Sequence, residues 1–279
     1  MRRPLGQHFL FDPKILKKIV DCAGITSEDT VVEIGPGLGT MTKFLSGRAK
    51  KVIAIEIDKK LIEKLKEIFS IIPPRPPLEK GGKGGFGNVE LIQADALRFP
   101  YETIKGKFKV VANIPYYITT PILFRLLEFK EKLLSMTLLL QKEVAQRITA
   151  SPETSGKDYG VLSITTQLHT KPRLKFYVPK GAFSPPPEVD SAVVHFEVSP
   201  KPLYTIKDET FFLKVVKAAF SHRRKTILNS LKPFNGIKEA LSAAGIDSKS
   251  RAEVLSIKDF IKLADALIPF SHTKPEDDK

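Results

Sequence analysis

Residues Val31–Thr40, VVEIGPGLGT, restrict the possible folds of this chain more than any other stretch. The β-branched residues Val31, Val32 and Ile34 read as a buried strand. Gly35, Gly37 and Gly39 follow at once, and a helical pattern starts near Thr40. Closely spaced glycines between a strand and a helix let the backbone approach a ligand that a Cβ would exclude, while the helix N-terminus presents free N–H groups. The same glycines would also make a plain tight turn. The next strand narrows the choice. Lys51–Asp58, KVIAIEID, is a near-continuous apolar run, the pattern of a parallel strand covered on both faces. It ends in Glu56 and Asp58. An acid placed there, roughly 20 residues past the glycines, either accepts from ribose hydroxyls or supplies charge to the start of the next helix.

The rest of the chain extends an α/β pattern. Asp12-Pro13 reads as a helix N-cap and first residue, followed by Ile15, Leu16, Ile19 and Val20 at helical spacing, with Gly24 as the stop. Lys59–Ile72 has the spacing of an amphipathic helix. Ile72–Asn88 holds four prolines and five glycines and is expected to be a disordered surface insertion. Its Gly-Gly-Lys-Gly-Gly lacks both the Lys-Ser/Thr ending and the preceding strand of a phosphate loop. Val89–Gln93 is a strand that delivers Asp95 to the carboxyl edge of the sheet, where it would meet a ligand or cap a helix. Phe108–Ala112 is a fourth strand and runs into Asn113-Ile114-Pro115-Tyr116-Tyr117. A helix over Thr120–Phe129, a strand over Met136–Leu140 and a helix over Val144–Ala150 follow. Periodicity alone leaves Val161–His169 as strand or helix. In Val178–His195, Phe183 precedes a rigid Pro185-Pro186-Pro187 turn, and Val189–Phe196 returns as a strand. Phe183 is then either a core residue of a hairpin or an aromatic held out for a ligand.

Charge and composition select among functions. Lys and Arg total 45 against 31 Asp and Glu, a net charge of +14 that favours an anionic partner. The composition shifts near Pro200, which suggests a catalytic domain over 1–199 and a helical RNA-binding domain over 200–270, with a disordered tail over 271–279. Thr210–Lys232 is expected to be helical. No acid occurs between Thr210 and Lys238, a run that contains Arg223, Arg224 and Lys225 as its densest cluster and reads as a phosphate-contacting surface. Two further helices are expected, over Ile237–Ala244, ended by Gly245, and from Ile257 to Leu267. The single cysteine, Cys22, allows no internal disulfide and sits in a helical pattern as a small buried hydrophobe. No run of about 18 apolar residues suggests a membrane span. The start, MRRPLGQHFLFD, is basic but lacks the apolar stretch of a signal peptide. A soluble, cytoplasmic monomer with no metal site is expected. Residues 1–12 either pack on the core or form an arm that closes over the pocket or meets RNA through Arg2 and Arg3.

Two ligand classes fit the glycine turn, a dinucleotide and S-adenosylmethionine. The spacing here is G-x-G-x-G, not the G-x-G-x-x-G of dinucleotide sites, and Glu33 is a poor fit to a dinucleotide strand. Glu33-x-Gly35-x-Gly37-x-Gly39 resembles the first motif of the Rossmann-like methyltransferases. Asn113-Ile114-Pro115-Tyr116 resembles the (Asn/Asp)-Pro-Pro-Tyr motif of amino-methyltransferases. The chemistry suits those residue types. An adenine exocyclic amine is a poor nucleophile because its lone pair is delocalised into the ring. The Asn113 side-chain carbonyl and the Ile114 backbone carbonyl, accepting its two N–H groups, would favour the pyramidal geometry that frees the lone pair. Tyr116 offers a flat face for stacking the base.

Taken in order, GQHFL, EIGPGLGTMT, IEID, QADAL, NIPYYI, LQKEVAQR, FSPPPEVDSAVV and FSHRRKTILNSL resemble the KsgA-type rRNA adenine N6,N6-dimethyltransferases over nearly the whole chain. The resemblance implies a class I methyltransferase sheet with helices on both faces, a small C-terminal helical domain, and a helix over Val161–His169. It implies S-adenosylmethionine as cofactor and dimethylation of two adjacent adenines near the 3′ end of small-subunit rRNA during ribosome assembly, with the pre-30S particle as partner. Carried over, the cofactor contacts are His8, Leu10, Gly35, Gly37, Glu56, Asp95 and Asn113, and the contacts to the target adenine are Asn113, Ile114, Tyr116 and Phe183. Phe183 would stack on a flipped base opposite Tyr116. Two features depart from the pattern: His8 stands where an Asn is often found, and Ile72–Asn88 has no counterpart. The erythromycin-resistance methyltransferases of large-subunit rRNA share the chemistry and are the alternative, as is an assembly factor that acts mainly by binding.

Overall fold

The computed structural model describes residues 8–71, 86–222 and 224–271. Arg2, Arg3, Arg223, most of the expected insertion and the tail from residue 272 lie outside the described residues. The chain forms two units, one of Met1–Ala145 with Thr170–Pro200 and one of Gln146–His169 with Lys201–Lys279.

In the first unit the order is β1 (Phe9–Leu10), α1 (Pro13–Cys22), β2 (Thr30–Ile34), α2 (Thr40–Ser46), β3 (Lys51–Glu56), α3 (Lys59–Ile71), β4 (Val89–Gln93), β5 (Phe108–Asn113), α4 (Thr119–Leu127), β6 (Leu133–Gln141) and α5 (Lys142–Thr149). The chain passes into the second unit within α5 and returns with β7 (Thr170–Val178), β8 (Phe183–Ser184) and β9 (Ser191–Val198). One sheet has the order β4-β3-β2-β5-β6-β9-β7. Its first five strands in that order run parallel, whereas β9 is antiparallel to both β6 and β7. With helices on both faces, this is a class I methyltransferase-like fold. Strand order reverses beside β2, so the carboxyl ends of β2 and β5 flank the crevice where open α/β sheets bind ligands.

Local sequence explains the elements that frame this crevice. Asp12 caps α1 by accepting the Lys14 N–H at 2.8 Å, Pro13 takes the first helical position, and Leu16, Ile19 and Val20 are buried. Each such side chain removed from water contributes about 1.5–3 kcal/mol. Together with Val31, Val111, Leu139 and Val193 they form the core on one side of the sheet. Gly39 has φ of +75°, and a Cβ there would lie 2.7 Å from Leu65 Cδ2, so glycine lets α2 begin against α3. Cys22 is half-buried rather than buried. The described end of the expected insertion, Phe86–Asn88, is a 3-10 turn, and Asn88 donates to the carbonyls of Ser46 at 3.0 Å and Ala49 at 2.9 Å.

The second unit contains α6 (Pro152–Ser155), α7 (Val161–His169), α8 (Glu209–Ala219), α9 (Ile227–Ser230), α10 (Ile237–Ala244) and α11 (Ile257–Leu267). Phe212, Val216, Ile227, Leu241, Phe260 and Leu263 lie in its core, with Ile164 and Leu168 from α7. An expected boundary at residue 200 places 146–169 with the catalytic domain; in the structure this segment belongs to the helical unit. Its apolar face is completed there, and the Leu203 N–H donates to the Leu168 carbonyl at 2.8 Å. The helix expected over Thr210–Lys232 is two helices. The Ser221 hydroxyl turns back to the Ala218 carbonyl at 2.7 Å, and Thr226 caps a new helix, so hydroxyl side chains compete with the helical ladder. Gly245 ends α10 with φ of +68°, as the sequence suggests. Among the described residues no helix is long and apolar enough to cross a membrane.

Candidate active site

The turn after β2, the ends of β3 and β5 and the loop after β4 surround a cavity of about 310 Å³ in the first unit. His8, Gly35, Gly37, Glu56, Asp95, Asn113, Ile114 and Tyr116, all singled out from the sequence, line it. Gly35 and Gly37 have φ of +70° and +56°, and a Cβ on Gly37 would sit 3.0 Å from the Phe9 ring. A side chain at either glycine would strain the backbone, and one at Gly37 would also push on the arm that covers the turn. Ile34, Ile55, Ile57 and Leu97 supply apolar wall. An apolar cleft with a few convergent polar groups is the form of a small-molecule site.

Two carboxyl groups line it and a third is buried behind it. The Glu56 carboxylate accepts the N–H groups of Ile57 at 2.9 Å and Asp58 at 3.0 Å. Burial pushes its pKa up, opposed by N–H donors from Asp58, Gly37 and Ile57. Asp95 accepts the Leu97 N–H at 2.9 Å, so it both caps a turn and lines the cavity. Glu33 lies behind the glycine turn, 0% exposed, and neither of its oxygens has a hydrogen-bond partner among the described residues. Burial pushes its carboxyl up to about 8, opposed by the nearby Thr42 hydroxyl and reinforced by Glu56. Glu33 is therefore largely neutral at pH 7.

The end of β5 is held from two directions. Asn113 Nδ2 donates to the His8 carbonyl at 3.2 Å, and His8 Nδ1 is 2.8 Å from the Pro185 carbonyl. The His8 and Tyr116 rings stack with centroids 5.7 Å apart. Tyr116 OH is 2.7 Å from Ser191 Oγ. Burial raises the Tyr116 hydroxyl pKa, opposed by the Ser191 contact. Ser191, Phe9, Ile57 and Tyr117 at or behind this cavity were not singled out in the sequence. Ser191 lies 75 residues from Tyr116, and no local pattern marks such a pair.

Leu10 and Phe183 are not among the lining residues. They pair across β1 and β8, and both belong to the core beneath. Phe183 is 3% exposed, so its ring is not presented for stacking opposite Tyr116 in this arrangement. The short strands explain this: pairing of β1 with β8 turns both side chains toward Val178 and Val193.

In the second unit, Lys214, Lys217, Arg224, Lys225, Lys232 and Lys238 are exposed. Lys214 lies over the Phe234 ring at 5.9 Å. Among the described residues none of the six has an ion-pair partner.

Sequence and structure comparisons agree on one relationship. The ribosomal RNA adenine dimethylase family matches residues 1–268. A ribosomal RNA small subunit methyltransferase A from Pelotomaculum thermopropionicum is 42% identical over 96% of this chain and 91% of its own length. One from Bacillus cereus is 43% identical, with the same shares covered. Among solved structures, a dimethyladenosine transferase from Plasmodium falciparum is similar with a TM-score of 0.71 and 30% identity, over 92% of this chain and 96% of that one. The 23S rRNA methyltransferase ErmE is similar with a TM-score of 0.72 and 27% identity, over 93% of this chain and 99% of that one.

Proposed function

The chain belongs to the ribosomal RNA adenine dimethylase family, and on that premise we propose that it dimethylates the N6 amines of two adjacent adenines near the 3′ end of small-subunit rRNA. It is an rRNA adenine dimethyltransferase, and its cofactor is S-adenosylmethionine. The observation that carries the finer reading is Asn113-Ile114-Pro115-Tyr116 at the end of β5, on the wall of the cavity shared with the glycine turn. Relatives at 42% and 43% identity carry small-subunit names, which favours that subunit over the large one.

The cavity fits the cofactor: a glycine turn at positive φ in which a Cβ on Gly37 would crowd Phe9, two acids at its edge and apolar walls. Gly35 and Gly37 would hold the methionine end, Glu56 the ribose and Asp95 the adenine amine. When bound, the cofactor supplies an electrophilic methyl group. The protein's task is to aim a weak nucleophile at it. Asn113 Oδ1 and the Ile114 carbonyl accept the target amine's two N–H groups, localising the lone pair on nitrogen. Tyr116 stacks the base, its ring fixed through Ser191. The two carbonyl oxygens would stabilise the positive charge that develops on nitrogen as its lone pair displaces the methyl group from sulfur, before the extra proton is lost to solvent. No covalent enzyme intermediate is needed; orientation of this kind contributes ~7–11 kcal/mol.

The exposed cations of the second unit, with Arg223, are read as contacts to rRNA phosphates. We read the working protein as a cytoplasmic monomer acting on the assembling small subunit. The test is methyl transfer from labelled S-adenosylmethionine to unmodified small and large subunits separately. Dimethyladenosine in the small subunit alone is expected. Label in the large subunit would overturn the assignment.

A further inference from the structure

Rims of RNA-binding sites place exposed aromatic rings beside cations, so that a base can stack while its phosphates are neutralised. The first unit has such an arrangement that the proposed chemistry does not use. Tyr177, near the end of edge strand β7, is 50% exposed. Lys142 Nζ lies 5.2 Å from the centre of its ring. Lys142 opens α5, where the helix dipole disfavours a cation, so its placement does not serve the helix. Asp190 organises the group. Its carbonyl accepts the Lys142 N–H at 3.0 Å, and its carboxylate accepts the Lys180 N–H at 3.0 Å. The next residue, Ser191, is the one that holds Tyr116. Tyr177 pairs with Ala192 in the sheet, one position further along.

We propose that Tyr177, Lys142 and Lys180 form a second nucleotide position, in which the base flanking the target adenine stacks on Tyr177 and its phosphates meet the two lysines. This inference rests on the rRNA-methylating function above. Tyr177 pairs with Ala192 and Tyr116 is anchored through Ser191, so the two rings are tied to neighbouring residues of β9. Protection of the sheet edge does not account for Tyr177. Lys171, Arg173 and Lys175 already place charge along β7, and Lys175, which no residue of β9 opposes, bulges it. An exposed tyrosine adds nothing to that defence.

The experiment uses the full chain with unmodified small subunits and labelled S-adenosylmethionine, and measures KM for the particle, kcat and cofactor affinity. Tyr177→Ala is expected to raise KM about 5- to 100-fold with kcat and cofactor affinity within twofold. Tyr177→Phe, which keeps the ring, is expected to restore the wild-type KM. Lys142→Gln/Lys180→Gln is expected to raise KM and flatten its salt dependence. An unchanged KM in Tyr177→Ala, with the unaltered chain active, would overturn the ledge and leave the proposed function standing. Should Tyr177→Ala fail to fold, an unchanged salt dependence in the double lysine variant overturns it. Failure of the unaltered chain to label any rRNA would overturn the proposed function and the ledge together.

Discussion

The side-chain amide of Asn113 donates to the backbone carbonyl of His8 at 3.2 Å, although the two residues are 105 apart in the chain. It commits Nδ2 and leaves Oδ1 for the proposed role of accepting from the substrate amine. Asn113→Ala is therefore expected to lower kcat by about 10²-fold or more, in the range seen when one charge-stabilising group is removed. Cofactor affinity should fall less than tenfold, because Glu56, Asp95 and the glycine turn remain. Asn113→Asp should be no better, since a carboxylate faces the His8 carbonyl without a proton to donate. Stopped-flow single-turnover kinetics with either variant check this; retained turnover removes the amine-orienting role.

Glu33 makes stability depend on pH. Its carboxyl titrates near 8 when folded and near its ordinary value of 4.5 when unfolded. Below pH 4.5 both states hold the proton and stability is at its full value. Between those limits the unfolded chain releases a proton that the folded chain retains, so stability falls as pH rises through this window. Glu33→Gln removes the titration. It should raise stability by up to ~4 kcal/mol at pH 8 and by little near pH 4. Thermal melts at the two values decide it: a gain that is equal at both would show that Glu33 is charged in the folded protein.

Neutralising Arg223, Arg224 and Lys225 together should weaken RNA binding and reduce the slope of log K against log salt by roughly one for each phosphate left without its cation. Turnover at saturating RNA should hold, because Arg224 and Lys225 are not among the residues that line the cavity. Filter binding at several salt concentrations reports the slope, and an unchanged slope would remove this cluster from the interface.

Gly37→Ala tests the turn. A Cβ at φ of +56° strains the backbone by about 1–2 kcal/mol and meets the Phe9 ring at 3.0 Å. Weaker cofactor binding is expected, by about tenfold, with the arm over the turn displaced. Calorimetric titration with S-adenosylmethionine measures it; wild-type affinity would mean that the cofactor does not approach this backbone.

Much of the fold was legible in the chain because it is local. The Val31–Thr40 strand, turn and helix, the strand ending at Glu56, the Asp12 cap of α1 and the Gly245 stop of α10 all depend on neighbouring residues. What escaped depends on partners far away. Thr170–Val178 reads poorly as a strand because Pro172 lies within it and a bulge near Lys175 breaks the alternation, yet β7 spans nine residues and pairs with β9. β1 and β8 are two residues each, too short for any period, and their pairing decides that Leu10 and Phe183 face the core. The membership of 146–169 in the helical unit depends on the burial of Ile164 and Leu168 against residues from beyond 200.

The arm that carries His8 also changes what the start of the chain is for. Its carbonyl meets Asn113, its imidazole meets Pro185, and β1 is stitched to β8, yet none of these bonds belongs to the seven-stranded sheet. Trimming the chain past Leu10 would leave every strand of that sheet and nearly all of its core in place while removing one wall of the cavity. On the proposed role of His8, a protein shortened in this way is expected to pass a folding assay by circular dichroism and to lose cofactor affinity, which would make the arm a requirement of the site rather than of the fold.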